Sequence, residues 1–269
     1  MSRYRLNWYE LEELENGDYS ISFPVGNIYS ELVDQAFPKI EKTGWRSSGS
    51  TVFCTNIKSP NVHEVEHLRN FLDLLKEILV LRLNKHLEDH FEDELDQCFA
   101  LDYNFKSIDD EGREYTDTGK LEYEAKYNRD HNSIYNLAKF LADVCQRHPV
   151  LQQVGYIAAV PGNPEKDVHL PDLLVEKMGK ILGRDTGLAL RKTEETPQLK
   201  NLSVEDKIST IEDVFCLEED IEGKSILLID DLYQSGTTMW TLARFLKENG
   251  ADSVYGLACV KSWRDSDNI

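Results

Sequence analysis

The chain has 269 residues, of which 41% are hydrophobic and 29% charged, and this composition is that of a globular protein rather than a disordered or fibrous one. The length allows one large domain or two modest ones. The net charge of −19 disfavours nucleic acid as a partner, because most nucleic-acid affinity comes from a basic face that neutralises phosphates. A local basic patch would still permit such contact, so nucleic acid is disfavoured rather than excluded.

The cysteines and the apolar runs predict a cytoplasmic protein. The five cysteines are widely spaced, which fits neither a zinc site nor a disulfide framework and is typical of a reducing compartment. No stretch approaches the roughly 20 apolar residues of a membrane-spanning helix. Residues 1–8 lack the apolar core of a secretory signal. We therefore expect no membrane partner.

The first part of the chain, residues 1–148, predicts a largely helical α+β accessory region of unknown function. Residues 1–60 combine short apolar runs with turn residues and predict irregular or short-strand structure. Between residues 62 and 95 apolar side chains recur at helical spacing, at Val65, Leu68, Phe71, Leu72, Leu75, Ile78, Leu79, Leu83 and Leu87. Such a stripe buries one face against the body of the chain, against a second copy in a homo-oligomer, or against a protein partner, and these readings stay open.

Two polar features of this region could be interpreted as metal-binding sites. Acidic residues cluster in residues 88–96, and His63 with His67 and His86 with His90 have i, i+4 spacing. Charged and polar side chains on a helix are mostly exposed to solvent. We therefore interpret both features as the solvated face and end of the predicted helix.

An amphipathic helix is predicted at residues 133–147, and Pro149 ends it. After this helix, predicted strands and helices alternate. Strands are predicted at residues 154–160, 187–190, 225–229 and 253–260, and helices at residues 170–182 and 237–249. This alternation predicts an α/β domain over residues 149–269, with a mostly parallel twisted sheet and helices on its faces.

The segment from Ile226 to Thr238 carries the chemistry. Ile226–Ile229 predicts a buried strand, and Asp230 and Asp231 follow at its C-terminal end, where open α/β sheets bind ligands. A turn of small hydroxyl residues and a glycine then opens into a helix, whose N-terminal N–H groups and dipole bind phosphate. Two acids beside a phosphate site are explained if they accept hydrogen bonds from sugar hydroxyls and lie near a magnesium ion. The segment therefore predicts a site for a phosphorylated ribose.

Other sites that combine an apolar strand with two acids explain the segment less well. Nucleotide hydrolases place a magnesium-binding acid there, but they also need a G-x-x-x-x-G-K-[ST] loop, which the chain lacks. The acid pair of a receiver domain does not need the turn at residues 235–238. A purely structural strand and turn leaves the two adjacent acids unexplained.

The segment closely resembles the phosphoribosyl-pyrophosphate (PRPP) binding motif of type I phosphoribosyltransferases (PRTases), and the resemblance extends over about residues 154–263. It implies the fold of that family. It also implies that Asp230 and Asp231 are catalytic, hold the ribose hydroxyls and meet Mg²⁺ indirectly, through PRPP. The 5′-phosphate would bind the turn formed by Gln234, Ser235, Gly236, Thr237 and Thr238.

Within the family, the chain is most similar to the competence-associated (ComF-like) branch. The matching residues, in chain order, are Arg191-Lys192-Thr193, Gln198, Leu202-Ser203 and Asp206-Lys207. The family's flexible loop closes over pyrophosphate and carries a basic residue. The resemblance therefore makes Arg191 and Lys207 catalytic candidates, together with Lys192.

The loop after the first predicted strand is expected to bind the pyrophosphate. Its Pro161 and Gly162 form a turn that suits close approach of the backbone to a diphosphate, with Asn163 and Lys166 beside it. The Arg-Gly-Phe-Asn stretch and the N-terminal cysteine cluster of the ComF-like branch are absent from this chain. Lys166 is then the strong cation of the loop, and this departure places turnover in more doubt than PRPP binding.

Lys261 and Trp263 follow the last predicted strand, where the family often contacts the base. An aromatic cap near the end of the chain explains Trp263 equally well. The resemblance implies transfer of phosphoribosyl from PRPP to a nitrogen acceptor such as a nucleobase, with release of pyrophosphate. Two alternatives stay open: a non-catalytic sensor of PRPP or nucleotide, and a ComF-like partner protein in DNA processing or defence.

Overall fold

The structure is a computed structural model that describes residues 4–25, 27–83, 85, 87–109, 112–164, 168–184, 186, 188, 190–193, 204–212 and 214–263. The chain divides into two compact units. The first comprises Met1–Val80 with Val144–Gln153, and the second comprises Leu81–Asp143 with Val154–Ile269. The second unit thus takes in residues that the sequence assigned to the accessory region, and the boundary predicted between residues 148 and 149 remains a prediction.

The first elements along the chain are mainly short strands. They are β1 (Glu10–Glu13), β2 (Tyr19–Pro24), α1 (Asn27–Ala36), β3 (Arg46–Ser48), β4 (Val52–Ile57), α2 (Val62–Glu77) and β5 (Leu79–Leu81). β1 to β4 form an antiparallel sheet in the order β1-β2-β4-β3. Its core includes the buried ring of Phe23, whose centroid lies 5.0 Å from that of Trp45 and 6.5 Å from that of Phe53.

The long helix predicted for residues 62–95 is wrong beyond residue 77. α2 begins with a capping box, in which Glu64 N donates to Asn61 Oδ1 at 3.0 Å. It ends where Ile78 adopts extended backbone, with φ −99° and ψ 162°. Residues 78–81 are an unbroken apolar run with two β-branched members, which favours a strand. Helical spacing of apolar residues alone does not separate such a run from another helical turn.

The acidic run at residues 88–96 is not the end of a helix. Arg244 Nε donates to Glu94 Oε1 at 3.1 Å, and Val254 N donates to Asp96 Oδ2 at 2.7 Å, so part of the run is tied into the second unit. Across the described ranges, no three His, Cys, Asp or Glu side chains are grouped as a metal site requires. His86 of the predicted histidine pairs lies outside those ranges.

The remaining elements alternate between strands and helices. They are β6 (Gln97–Tyr103), β7 (Phe105–Asp109), β8 (Gly112–Tyr115), α3 (Asp117–Tyr127), α4 (His131–Arg147), a 3-10 helix (Leu151–Gln153), β9 (Tyr156–Ala159), α5 (Leu170–Leu182), β10 (Leu190–Lys192), α6 (Val204–Glu212), β11 (Phe215–Leu217), β12 (Ser225–Tyr233), α7 (Thr237–Glu248) and β13 (Ser253–Lys261). β7 pairs with β8, and β10 with β11, in antiparallel fashion. Among the described residues, no helix combines the length and the apolar character needed to cross a membrane.

Four strands of the second unit pair in parallel, in the order β6-β13-β12-β9. Ile226–Ile229 of β12 are completely buried between two neighbouring strands, which explains the unbroken apolar run in the sequence. The predicted fold class, a mostly parallel sheet with flanking helices, is confirmed. The sequence did not assign β6 to this sheet.

Candidate functional site

Asp230 and Asp231 lie at the C-terminal end of β12, which has a parallel neighbour on each side. Ile229 pairs with Ala159, the last residue of β9, so the acids follow the point at which that neighbour has ended. Asp231 N donates to Asp230 Oδ1 at 2.8 Å and orients the first carboxylate. The acids therefore occupy the edge at which parallel α/β sheets bind their ligands.

The turn between β12 and α7 is held by local contacts. Gly236 has φ +91°, which glycine adopts without strain, and a Cβ there would lie 2.1 Å from the Tyr233 hydroxyl. Ser235 Oγ lies 3.0 Å from Thr237 Oγ1 and accepts from Thr237 N at 3.4 Å. These contacts hold the first turn of α7 directly after the acid pair.

The loop predicted to bind pyrophosphate leaves the sheet beside the acid pair, since Val160 N donates to Ile229 O at 2.8 Å. A Cβ at Gly162 would lie 2.2 Å from His169 Nδ1, so glycine allows the imidazole to lie against this backbone. His169 Nε2 also lies 2.7 Å from Asn163 O, and His169 is the N-cap residue of α5. One histidine therefore joins the loop to the helix that follows it.

These elements surround a cleft of about 380 Å³, a size suited to a small molecule. The predicted residues in its wall are Asp230, Asp231, Pro161, Gly162, Asn163, Lys192 and Thr238. The other predicted turn residues precede Thr238 and are half-buried or buried, and they are Gln234, Ser235, Gly236 and Thr237. Among the described residues, the cations of the wall are Lys126, Arg129 and Lys192.

α3 and the residues directly after it bring two of these cations, Lys126 and Arg129, to the cleft. Its N-cap residue, Thr116, accepts from Gly119 N at 2.8 Å through Oγ1 and donates to Tyr103 O. Gly119 packs so closely on the turn after β6 that a Cβ would lie 2.0 Å from Asn104 O. These contacts anchor the start of α3 at the end of β6, while Lys126 in its last turn reaches the cleft.

Lys126 forms an ion-pair network with two carboxylates. Its Nζ lies 2.9 Å from Asp231 Oδ2 and 3.6 Å from Glu122 Oε1, and the two acidic side chains are 15% and 9% exposed. Burial raises the pKa of Glu122 to about 7, although Lys126 acts to lower it. Burial alone would lower the pKa of Lys126, but Asp231 and Glu122 outweigh it and raise that pKa above its ordinary value. Lys126 is therefore charged at neutral pH.

Burial shifts the pKa values of Asp230 and Lys192 in opposite directions, because one group is acidic and the other basic. Burial and the neighbouring Asp231 raise the pKa of Asp230 well above its ordinary value, against the influence of Lys126 and Lys192. Burial lowers the pKa of Lys192, and Asp230 acts against that change. Lys192 Nζ also lies 5.9 Å from the centre of the Phe215 ring. The cleft therefore combines carboxylate acceptors for hydroxyl groups with ammonium groups for phosphates.

The other cations predicted to act on pyrophosphate are placed differently. Arg191 adjoins Lys192 on β10, but its side chain is 63% exposed and pairs with Glu218. Successive strand residues point to opposite sides, so Lys192 lines the cleft and Arg191 does not. For Lys207 in α6 the structure describes the backbone alone. The matched positions outside the described residues are Lys166, Gln198, Leu202 and Ser203.

Lys261 and Trp263, the predicted base-binding residues, lie at the end of β13. Lys261 is buried and is paired in register with Tyr103 and Tyr233. The Trp263 ring meets that of Tyr103 edge-on at 5.4 Å, and Trp263 N donates to Asn104 Oδ1 at 2.8 Å. The wall of the cleft, as far as the described residues define it, contains neither of them, and their role with a base remains a prediction.

The sequence did not reveal Lys126, Arg129 or Glu122 as site residues. Glu122 and Lys126 have the i, i+4 spacing of an ordinary surface ion pair on a helix, and this spacing does not reveal burial. Arg129 has φ +55°, and its Nη2 donates to Val168 O at 2.7 Å. A positive φ at a residue other than glycine is strained and requires support from the surrounding structure.

The family resemblance implies a Mg²⁺ ion, and the residues suit one that arrives with a phosphorylated ligand. Asp230 and Asp231 offer the carboxylate oxygens that Mg²⁺ prefers, but Lys126 already occupies one of them. Among the described residues, no group of three His, Cys, Asp or Glu side chains is placed to hold a metal ion. Magnesium commonly completes its coordination with water and substrate phosphates. The acid pair therefore fits a Mg²⁺–PRPP complex better than a metal held by the protein alone.

Part of the chain that includes this site matches a known protein family. The phosphoribosyl transferase domain family matches residues 185–263, a range that contains the acid pair, the turn between β12 and α7, and β13. The resemblance to PRTases is confirmed, in that residues 185–263 match the phosphoribosyl transferase domain family. The comparison does not single out the ComF-like branch, which remains a prediction. No curated protein matches the chain.

Among solved structures, similar ones include purine phosphoribosyltransferases. A hypoxanthine phosphoribosyltransferase from Staphylococcus aureus is 14% identical with a TM-score of 0.31, over 48% of this chain and 62% of that one. A hypoxanthine-guanine phosphoribosyltransferase from Bacillus anthracis is 13% identical with a TM-score of 0.34, over 49% of this chain and 70% of that one. The chain thus spans less than two thirds of the Staphylococcus protein. Sequence identities and TM-scores this low support no conclusion about the substrate or the reaction of this chain.

Proposed function

We propose that the second unit binds PRPP with Mg²⁺ in the cleft and transfers the phosphoribosyl group to a nitrogen acceptor, with release of pyrophosphate. The observation that carries this proposal is the meeting of the acid pair, the first turn of α7 and the loop after β9 in one cleft of about 380 Å³. The phosphoribosyl transferase domain match over residues 185–263 supports the same reaction class. A free nucleobase is the acceptor class to test first.

Each part of the cleft has a role in this reaction. Asp230 and Asp231 accept hydrogen bonds from the ribose hydroxyls, Thr238 at the N-terminus of α7 binds the 5′-phosphate, and the backbone at Gly162 faces the diphosphate. Bound with PRPP, Mg²⁺ would supply positive charge to the leaving group. The acceptor nitrogen bonds to C1 of the ribose while the bond from C1 to the pyrophosphate oxygen breaks, and its electron pair leaves with pyrophosphate. Positioning and electrostatics provide most of the acceleration.

The first test is calorimetric titration of PRPP with Mg²⁺ into the full chain and into an Asp230→Asn, Asp231→Asn double variant. Two charge-assisted hydrogen bonds are lost, so PRPP affinity should fall by about 100-fold or more. A Glu219→Gln, Glu248→Gln variant removes the same charge from exposed positions and should bind as the wild type does. Circular dichroism verifies that each variant is folded. Unchanged affinity in the acid-pair variant would overturn the site.

Pyrophosphate release, measured with PRPP, Mg²⁺ and a panel of free bases, separates catalysis from sensing. Release that depends on one base identifies the acceptor and supports the transferase. PRPP binding without release from any base would instead support the alternative of a non-catalytic sensor. The widely spaced cysteines, which form no disulfide, support a cytoplasmic location for either activity.

A further inference from the structure

A phosphorylated ligand in the cleft requires more positive charge than the described part of the loop after β9 supplies. PRPP carries a 5′-phosphate and a diphosphate, and in the proposed orientation it lies against the carboxylates of Asp230 and Asp231. The described residues of that loop, 160–164 and 168–169, contain no lysine or arginine. α3 and the residues directly after it instead bring Lys126 and Arg129 into the same wall, which also contains Lys192 of β10. A phosphorylated ligand in this cleft therefore meets cations from outside that loop, Lys126 among them.

Lys126 can change partners while the helix stays in place. Its ammonium now lies 2.9 Å from Asp231 Oδ2, one of the carboxylates that the ribose hydroxyls would occupy. An ammonium group has three donors on a flexible four-carbon stem, and a rigid backbone fixes only where that stem begins. The contacts of Thr116 and Gly119 hold the backbone of α3 at its N-terminal end. Arg129 is less free to move, because its guanidinium donates to Val168 O at 2.7 Å.

We propose that Lys126 is an exchangeable counter-ion: it neutralises Asp231 in the free protein and contacts the diphosphate of PRPP once the ribose hydroxyls occupy that carboxylate. This inference rests on the proposed function and adds to it a ligand-binding residue from outside the matched family domain. Glu122, 3.6 Å from the same ammonium, keeps Lys126 at the edge of the cleft in both states.

The test compares two ligands that differ only in the diphosphate. PRPP and ribose 5-phosphate, each with Mg²⁺, are titrated into wild type, Lys126→Met and Lys126→Arg. A lost charge-assisted contact to phosphate should weaken PRPP binding to Lys126→Met by about 10- to 100-fold. Ribose 5-phosphate binding should change by about threefold or less, because that ligand has no diphosphate. Lys126→Arg should keep most of the preference for PRPP.

Lys120→Met is the matched control. Lys120 is on the same helix and pairs with Glu124 at 4.0 Å, but its side chain is 71% exposed. It should bind both ligands as the wild type does. If Lys126→Met does not fold, because Asp231 and Glu122 then face each other unpaired, the Glu122→Gln, Lys126→Met double variant removes that repulsion and answers the same question.

The outcomes separate the inference from the proposed function. If wild type binds PRPP and Lys126→Met loses affinity for both ligands equally, Lys126 serves only to organise the acid pair and the inference is wrong. If PRPP binding is unchanged in Lys126→Met, the inference is also wrong. Neither of these two results contradicts the proposed function. Failure of wild type to bind PRPP at all overturns the proposed function and the inference together.

Discussion

Glu122 is a buried carboxyl group whose ionisation should cost stability, and the Glu122→Gln variant should reveal that cost as a function of pH. Burial raises its pKa from the ordinary value of 4.5 to about 7. The folded state therefore holds the proton more tightly than the unfolded chain does. Stability falls as the pH rises from about 4.5 to about 7, and the full cost applies above that range. At about 1.4 kcal/mol per pH unit, ionisation of Glu122 costs about 3 kcal/mol.

The glutamine variant does not ionise, so its stability relative to wild type should rise by about 2 to 3 kcal/mol between pH 5 and pH 8. Urea unfolding at four pH values, followed by circular dichroism, measures this difference. Carbon NMR of the glutamate side-chain carboxyl groups should show one titration near pH 7 that disappears in the variant. Glu66→Gln, at an exposed position of α2, is the control for loss of charge. Parallel stability curves for wild type and Glu122→Gln would refute the assignment of a buried, costly carboxylate.

Three further predictions concern single residues. Gly236→Ala forces a side chain into φ +91° and should lower stability by about 1 to 3 kcal/mol in thermal unfolding, together with PRPP affinity; normal melting and binding would contradict the geometry of the turn. Thr116→Ala removes the N-cap of α3 and should cost about 1 kcal/mol, with faster hydrogen exchange confined to that helix. Burial raises the pKa of the Cys98 and Cys259 thiols, so a maleimide should label half-buried Cys216 before either of them in the native protein. Labelling of all thiols at one rate, before unfolding, would be contrary to that burial.

The chemical core of the site could be predicted from the sequence because it is local. Within residues 226–238 a buried strand, two acids, a glycine turn and a helix N-terminus follow one another without interruption. Strand geometry and the φ requirement at Gly236 dictate their arrangement over this short distance. The alternation of strands and helices likewise predicted the parallel sheet, because a strand buried on both faces requires a continuous apolar run.

Other features depended on contacts between distant segments. The end of α2 at Glu77 follows from the extended backbone of the next residues, which their helical spacing did not indicate. The choice of Lys192 over Arg191 follows from which side of β10 faces the cleft. Neither fact is contained in the local pattern of apolar residues.

The sequence by itself determined which class of ligand we propose, because the residues predicted to contact a phosphorylated ribose are contiguous around β12. Only the tertiary structure decided where the balancing charge comes from. Lys126 is distant in sequence from Asp231 and has the spacing of a surface lysine, but α3 brings the two within 2.9 Å. The physical reason is that local patterns encode periodicity and turn geometry, whereas burial and ion pairing depend on which elements the fold brings together.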